Sequence, residues 1–221
     1  MTNRLGALIN RVKNIYQEEG LLTTIKKILT SVISVIYTTS AYNVYVRTLT
    51  KDNEADRMPK IQNVTPRIVE TIQQLDELYN QGFDLSLLDI DQYRYRLERG
   101  AIATFAFVDR ELGFAGWGAL SEEAKKSFTR YPFKVDFANN EALGGDAWTN
   151  PKYRRQGLHN YVAYKWDQFL ISRGITKDRA IILSSNITSQ RSTTKMGSKL
   201  VARARYVCIF GLQFWRERPV G

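Results

Sequence analysis

Thr149-Asn150-Pro151-Lys152-Tyr153-Arg154-Arg155-Gln156-Gly157-Leu158-His159 carries the most informative local signals in this chain. It leaves an apolar segment, turns at Pro151 and enters a helical pattern that opens on cationic residues. A helix N-terminus presents unpaired backbone N–H groups and the positive end of the helix dipole, so it suits an anion such as a pyrophosphate. Gly157 has no Cβ, which lets backbone and phosphate approach closely. Arg154 and Arg155 add charge where the anion would sit. A helix start with a solvated basic face is the alternative reading of the same residues.

Working outward, an apolar strand at 142–149 precedes this turn, and a helix over 158–172, ended by Gly174, follows it. Further along come a short apolar strand at 180–184, a short helix at 188–196 closed by Gly197, and a closing pair of strands within 200–215. Upstream, Ile68, Ile72, Leu75 and Leu78 predict a helical region over 66–79. A second helix at 89–99 is closed by Gly100, and strands at 101–108 and 112–120 are separated by a short polar turn. Residues 121–141 are mixed and loop-like, broken at Tyr131-Pro132. Helices and strands alternating on a largely antiparallel sheet define an α/β (α+β) class.

The first sixty residues differ from the rest. Leu5, Leu8, Ile9 and Val12 recur at helical spacing, and a second stripe runs from Leu21 to Ile36, with Arg11, Lys13, Lys26 and Lys27 on the opposite face. Residues 28–46 are uncharged, but Thr and Ser make them too polar for a membrane span, and no cleavage site marks a signal peptide. Two readings of this segment stay open: a helical pair packed on protein, and a basic amphipathic helix on an anionic membrane surface through residues 1–40. Residues 41–49 read as a strand and 51–60 as a polar linker. The division is therefore a basic helical extension with linker over 1–60 and a second domain over 61–221.

Composition narrows the function classes. The chain has 221 residues, 43% hydrophobic and 24% charged, with a formal net charge of +10. That is ordinary for a folded protein, and the basic balance favours an anionic partner. No nucleic-acid motif and no dense basic block interleaved with aromatics is present, so nucleic acid is not the expected partner. With one cysteine, Cys208, and one histidine, His159, an internal disulfide and a multi-histidine metal centre are excluded and no metal is expected. Cys208 lies in an apolar run and reads as a buried, inert thiol.

A second motif joins the first. Asn186-Ile187-Thr188-Ser189-Gln190-Arg191-Ser192-Thr193-Thr194-Lys195-Met196-Gly197-Ser198 follows the strand at 180–184. Together the two resemble the GNAT superfamily of acyl-CoA-dependent N-acyltransferases, whose pyrophosphate loop reads Gln/Arg-x-x-Gly-x-Gly/Ala. Arg154, Gly157 and His159 occupy those positions, with His159 in place of the small residue. The second segment is similar to Asn-x-x-Ala/Ser-x-x-x-Tyr-x-Lys-x-Gly-Phe, with Thr193 where Tyr is common and Ser198 where Phe is common. The resemblance spans roughly residues 64–216, and its flavour is similar to acetyltransferases associated with bacterial surface polysaccharides.

The resemblance implies a GNAT-like mixed, mostly antiparallel twisted sheet flanked by helices, and acetyl-CoA as acyl donor. Ala147, Trp148 and Thr149 would pair with pantetheine like an added strand. Arg154, Arg155, Gln156, Gly157, Leu158 and His159 would form the pyrophosphate loop, and Asn186 and Ser189 would hold the pantetheine arm. A base is wanted for the amine, and Asp146 and Glu141 are the candidates. Thr193 stands at the acid position, where its hydroxyl has too high a pKa to act as an acid but still offers a hydrogen bond. Trp117, Trp148, Tyr131 and Tyr153 are candidates for an aromatic acceptor pocket, with core packing as their other reading. The implied function is an N-acetyltransferase for a primary amine such as an amino sugar. A longer-chain acyltransferase at the membrane surface and a non-catalytic acyl-CoA-binding module are the alternatives. A bacterial cytoplasmic setting, peripheral membrane contact and a homodimer are further expectations.

Overall fold

The computed structural model describes residues 37–51 and 53–220. The two apolar stripes of the N-terminal segment lie outside them. Eight strands form one sheet: β1 (Tyr37–Thr48), β2 (Val64–Val69), β3 (Ile102–Val108), β4 (Glu111–Ala119), β5 (Glu141–Thr149), β6 (Lys177–Leu183), β7 (Lys199–Ile209) and β8 (Leu212–Pro219). Among the described residues five α-helices flank it: α1 (Ile72–Asn80), α2 (Ile90–Glu98), α3 (Glu122–Phe128), α4 (Leu158–Ser172) and α5 (Ile187–Lys195). The strand order is β2-β3-β4-β5-β6-β1-β7-β8. Every neighbouring pair is antiparallel except β5 and β6. The mixed, mostly antiparallel sheet expected from the sequence is the architecture the chain adopts.

Both faces of the central sheet are covered, which is why β3 is buried at every position. On one face Leu75 and Leu78 of α1, Tyr93 and Leu97 of α2 and Ala124 of α3 pack on Phe105, Phe107, Leu112 and Trp117. On the other, α4 places Leu158 and Val162 on Ala106, Val108 and Phe114, and Trp166 and Leu170 on Ile102 and Ala142. Removing these side chains from water supplies the main drive for folding, roughly 1.5–3 kcal/mol for each large one.

Three local readings change. Residues 66–69, expected to open a helix over 66–79, belong instead to strand β2, paired from Val64↔Val108 to Val69↔Ala103. The helix starts at Ile72, because Thr71 and Gln74 form a reciprocal capping box. Within the loop-like stretch, Ser121 caps α3 through the Ala124 N–H, with Glu122 and Glu123 in the first turn. The N-terminal strand is longer than 41–49 and interior. Val44 is fully buried, and β1 pairs with β6 on one side and β7 on the other. Residues ahead of the polar linker thus complete the sheet of the segment after it.

After β1 the chain wraps α4. Glu54 accepts from Tyr161 Oη (3.0 Å) and pairs with Lys165 Nζ (2.6 Å), and Lys60 N donates to Gln156 O (2.8 Å). Gly118 is where α4 comes nearest the sheet: a Cβ there would lie 2.2 Å from Cη2 of the buried Trp166 ring. Gly118→Ala is expected to lower stability by at least about 1–3 kcal/mol, since a packed ring cannot give way by that amount. Urea denaturation measures this, and a loss under about 0.5 kcal/mol would show the helix free to move.

Candidate active site

β5 and β6 run parallel for only three residue pairs, Glu141↔Lys177, Ala142↔Asp178 and Leu143↔Arg179. Beyond Leu143 the strands part, and among the described residues the edge of β5 that faces β6 has no strand partner from Gly144 onward. The opening forms a cavity of about 320 Å³ beneath α4 and α5. Small residues make the room: Gly116 of β4, Gly144 and Gly145 of β5, Ala163 of α4 and Ala180 of β6 all line it. On its other edge β5 bulges against β4. The pairing steps from Ala115↔Trp148 to Trp117↔Gly145, so Asp146 and Ala147 stand opposite the single residue Gly116. Asp146 takes φ +47° there.

The turn from β5 into α4 is built by Asn150, whose side chain donates to Leu112 O (3.0 Å) and accepts from Lys152 N (3.1 Å). Arg155 (φ +63°) and Gly157 (φ +89°) are both left-handed, and Gly157 is the N-cap residue of α4 without a side-chain cap. Among the described residues, the N–H groups of Leu158, His159 and Asn160 meet no acceptor. These are the orphan donors of a helix start, with the exposed Arg154 and Arg155 beside them.

The inner end of the cavity is ionic. Arg47, carried by β1, donates to Asp167 Oδ1 of α4 (2.6 Å) and Asp178 Oδ2 of β6 (3.2 Å). Trp166 Nε1 donates to the other Asp178 oxygen (3.4 Å). Burial pushes the Asp178 carboxyl above its ordinary value, while Arg47 and the Trp166 indole pull it back. His159 also lines the cavity, stacked on Phe114 (ring centroids 5.5 Å apart), with Nδ1 3.1 Å from Ser192 Oγ. Burial, with Arg47 a lesser cause, lowers its pKa below the ordinary 6.5.

A second hollow, about 280 Å³, opens on the opposite side of the sheet. Tyr93 and Arg96 of α2, its N-cap Asp89, Trp117 and Trp148 line it. Arg96 Nη1 donates to Asp146 Oδ2 (2.6 Å), and its guanidinium lies 5.0 Å from the Trp117 ring centre. Burial pushes the Tyr93 phenol up to about 12, so it stays a proton donor at neutral pH. Trp117 and Asp146 belong to the walls of both cavities. Asp146 therefore stands where the two meet.

The residues singled out from sequence divide accordingly. Asp146, Ala147, His159, Asn186, Ser189 and Thr193 line the first cavity. Asn186 also caps α5, its side chain accepting from Ser189 N (3.1 Å). Thr149, Arg154, Arg155, Gln156, Gly157 and Leu158 form the strand end and turn at its mouth, Leu158 being buried against the sheet. Trp148 faces the second hollow. Glu141 lies apart from both: it is buried at the paired end of β5, accepting from Arg179 Nε (3.0 Å) and Asp136 N (2.8 Å). Tyr131 packs on Tyr42, Tyr206 and Trp215, and the Tyr153 hydroxyl donates to Glu111, so neither belongs to an acceptor pocket. Arg47, Asp178, Trp166 and Arg96 were missed. A lone arginine ending an uncharged strand was the available signal for Arg47, and its partners sit at least 120 residues away.

Among the described residues no group of His, Cys, Asp and Glu could hold a metal ion, and no helix is long and apolar enough to cross a membrane. No protein-family model matches the chain, and no curated protein matches it either. Solved structures do. A tandem GNAT protein from the clavulanic acid biosynthesis pathway superposes with a TM-score of 0.52 at 12% identity, covering 78% of this chain and 54% of that one. A GCN5-related glucosamine N-acetyltransferase region of a fungal multi-domain GH3 beta-N-acetylglucosaminidase gives 0.52 at 11% identity, covering 89% and 23%. A functionally unknown conserved protein from Staphylococcus epidermidis gives 0.50 at 10% identity, covering 81% and 65%. The chain thus spans between about a quarter and two thirds of these proteins. The fold is that of the GNAT acetyltransferases.

A histidine whose folded pKa is depressed leaves a proton unbound that the unfolded chain takes up. Above about 6.5 the two states match, and as pH falls below that value stability is lost until the folded value is reached. Asp178, raised, acts with opposite sign at more acidic pH. Melting curves of the wild type and His159→Asn between about pH 7.5 and about pH 5 are therefore expected to lose less stability in the variant. Parallel curves would place His159 in water.

Proposed function

We propose that this protein is an acyl-CoA-dependent N-acyltransferase that moves an acetyl group from acetyl-CoA to a primary amine, the acceptor being an amino sugar of a surface glycan. The carrying observation is a parallel strand pair that separates after Leu143↔Arg179, beside a helix start whose N–H groups lack acceptors. A pantetheine chain has the amide groups to pair with a free strand edge, and the unpaired edge of β5 supplies the complement. The N–H groups of Leu158, His159 and Asn160, with Arg154 and Arg155, would hold the pyrophosphate. Asn186 and Ser189 line the path between them.

Bound acetyl-CoA supplies the thioester. A backbone N–H freed by the bulge at Asp146 and Ala147 would polarise its carbonyl. The amine enters from the second hollow, between Trp117 and Trp148, whose faces suit a sugar ring. Asp146 accepts its proton, directly or through one water, as the C–N bond forms and the C–S bond breaks. The leaving thiolate takes a proton from solvent; Thr193, buried in the cavity wall, offers at most a hydrogen bond. The amino-sugar class rests on those two indoles, on the surface-polysaccharide flavour of the motifs and on the glucosamine acceptor named for the fungal neighbour.

The test is calorimetric titration of acetyl-CoA into the wild type and Ala180→Phe, which fills the opening between β5 and β6. Binding that the variant loses while keeping its melting temperature is expected. No binding of acetyl-CoA or longer acyl-CoAs by folded protein sinks the reading. Turnover with an amine panel that includes glucosamine follows. Asp146→Asn is expected to lower kcat/KM by roughly 10²–10⁴ with the acetyl-CoA Kd unchanged. The buried Thr193, with no acidic hydroxyl, favours one second reading: a module that binds acyl-CoA without turnover. Tight binding with no product from any amine would establish it.

A further inference from the structure

Among the described residues nothing covers one face of β1, β7 and β8, on the side of α5, and its side chains fall into four cross-strand rows. Directly opposite residues give Tyr37–Ile209–Leu212, then Thr39–Val207–Phe214, then Ala41–Arg205–Arg216, then Asn43–Arg203–Arg218. The first two rows are mostly apolar and the next two carry four arginines. Phe210 (φ +48°) and Gly211 (φ +80°) make the turn beyond the apolar end. Phe210 is 76% exposed, Leu212 66% and Phe214 53%, so large apolar side chains stand in water at the tip of the hairpin. A cluster of this kind marks an interaction surface.

The arginines select the partner. Arg203 faces Arg218 and Arg205 faces Arg216, and like charges directly opposite each other repel. Among the described residues no carboxylate pairs with any of the four; Arg205 Nε donates to Thr39 Oγ1 (3.2 Å). Glu217, on the same strand, points to the other face, where it accepts from Trp215 Nε1. Such an arrangement wants anions supplied from outside. A second copy docked here would bring eight arginines together. Residues 1–36 contain five cationic and two acidic side chains, so their sequence offers too few carboxylates to match four arginines. A nucleic acid would satisfy the arginines but leave Ile209 and Leu212 in water.

We propose that the β7–β8 hairpin docks this protein on an anionic lipid surface, with Phe210, Leu212 and Phe214 entering the headgroup–acyl boundary and Arg203, Arg205, Arg216 and Arg218 meeting lipid phosphates. The spacing fits. Arg205 and Arg216 lie two residues, about 7 Å, behind the Val207–Phe214 row, which is the depth to which interfacial apolar groups sink. This surface is separate from both cavities, and the inference stands whether or not the chain transfers acyl groups.

The experiment is co-sedimentation of the full chain with phosphatidylcholine vesicles and with phosphatidylcholine–phosphatidylserine vesicles. The wild type is expected to pellet with the anionic vesicles and not with the neutral ones. Arg203→Gln/Arg205→Gln/Arg216→Gln/Arg218→Gln is expected to weaken that binding by roughly a hundredfold or more. Phe210→Ser/Leu212→Ser/Phe214→Ser is expected to weaken it by about tenfold or more. All seven positions are exposed, and an unchanged melting temperature shows that each variant is folded. No vesicle binding by the wild type overturns the proposal. So does binding unchanged in both variants but lost in Arg11→Gln/Lys13→Gln/Lys26→Gln/Lys27→Gln, which would assign the membrane to the N-terminal segment. Arginine-dependent binding of a labelled single-stranded RNA without vesicle binding overturns it in favour of nucleic acid. A dimer that the serine variant splits, with no vesicle binding, overturns it in favour of a second copy.

Discussion

The arrangement of this protein depends on how few residues join β5 to β6. Three parallel pairs hold the two halves of the sheet together, and the strands then diverge. Parallel pairing is slightly weaker per residue than antiparallel, and a short stretch of it survives only where other contacts support it. Two ionic clusters do so. Glu141 and Arg179 form one on the paired stretch, and Arg47 with Asp167 and Asp178 forms the other at the inner end of the opening. A buried charge left without its partner is costly, so such a cluster specifies one arrangement more than it adds to stability. Gly144 follows immediately: a Cβ there would lie 3.4 Å from Asp178 Oδ1, at the point where the strands begin to part.

The opening would be of little use without α4. Its face of Val162, Ala163 and Trp166 roofs the cavity, and its N-terminus stands at the mouth. The strap after β1 sets that N-terminus in place through the bond from Lys60 N to Gln156 O, and a Cβ at Gly157 would lie 3.3 Å from Pro59 Cα. Gly157 is thus required twice, by its left-handed backbone and by the strap beside it. The segment before the helix shapes the turn from one side and leaves the first N–H groups of α4 without an acceptor among the described residues.

β1 ties these parts together. It closes the sheet between β6 and β7, delivers Arg47 to the cavity and is joined to α5 by Asn43 Nδ2 donating to Gln190 Oε1 (2.8 Å). Its first residues, with β7 and β8, form the apolar and basic face. β8 is the edge of the sheet, where arginine side chains also discourage pairing with another chain. One strand therefore touches the cavity at its end and the docking face at its start.

Much of this was legible along the chain. The turn from Thr149 to His159, the helix from Leu158 to Ser172 and the hairpin of β3 and β4 follow from local signals: Pro151, the glycines at 157 and 174, and apolar periodicity. Such signals act over a few residues, which is why they can be read in order. The capping pair Thr71 and Gln74 was equally local and marks the start of α1, while Ile68 was drawn into that helix because a short apolar run suits either period. Other features rest on residues far apart in sequence. That β1 lies inside the sheet was decided by partners at least 129 residues away, and the ionic cluster around Arg47 by α4 and β6 together. Glu141 and Asp146, five residues apart on one strand, look alike in sequence. The first is buried against Arg179, and the second is half-exposed where two cavities meet, because the strand leaves its parallel partner between them. The local elements, and the cationic turn with a glycine at the helix start, were readable from the sequence, since both arise from neighbouring residues. Only the tertiary structure decided which carboxylate meets the cavity and which strand completes the sheet, since both depend on where distant segments pack.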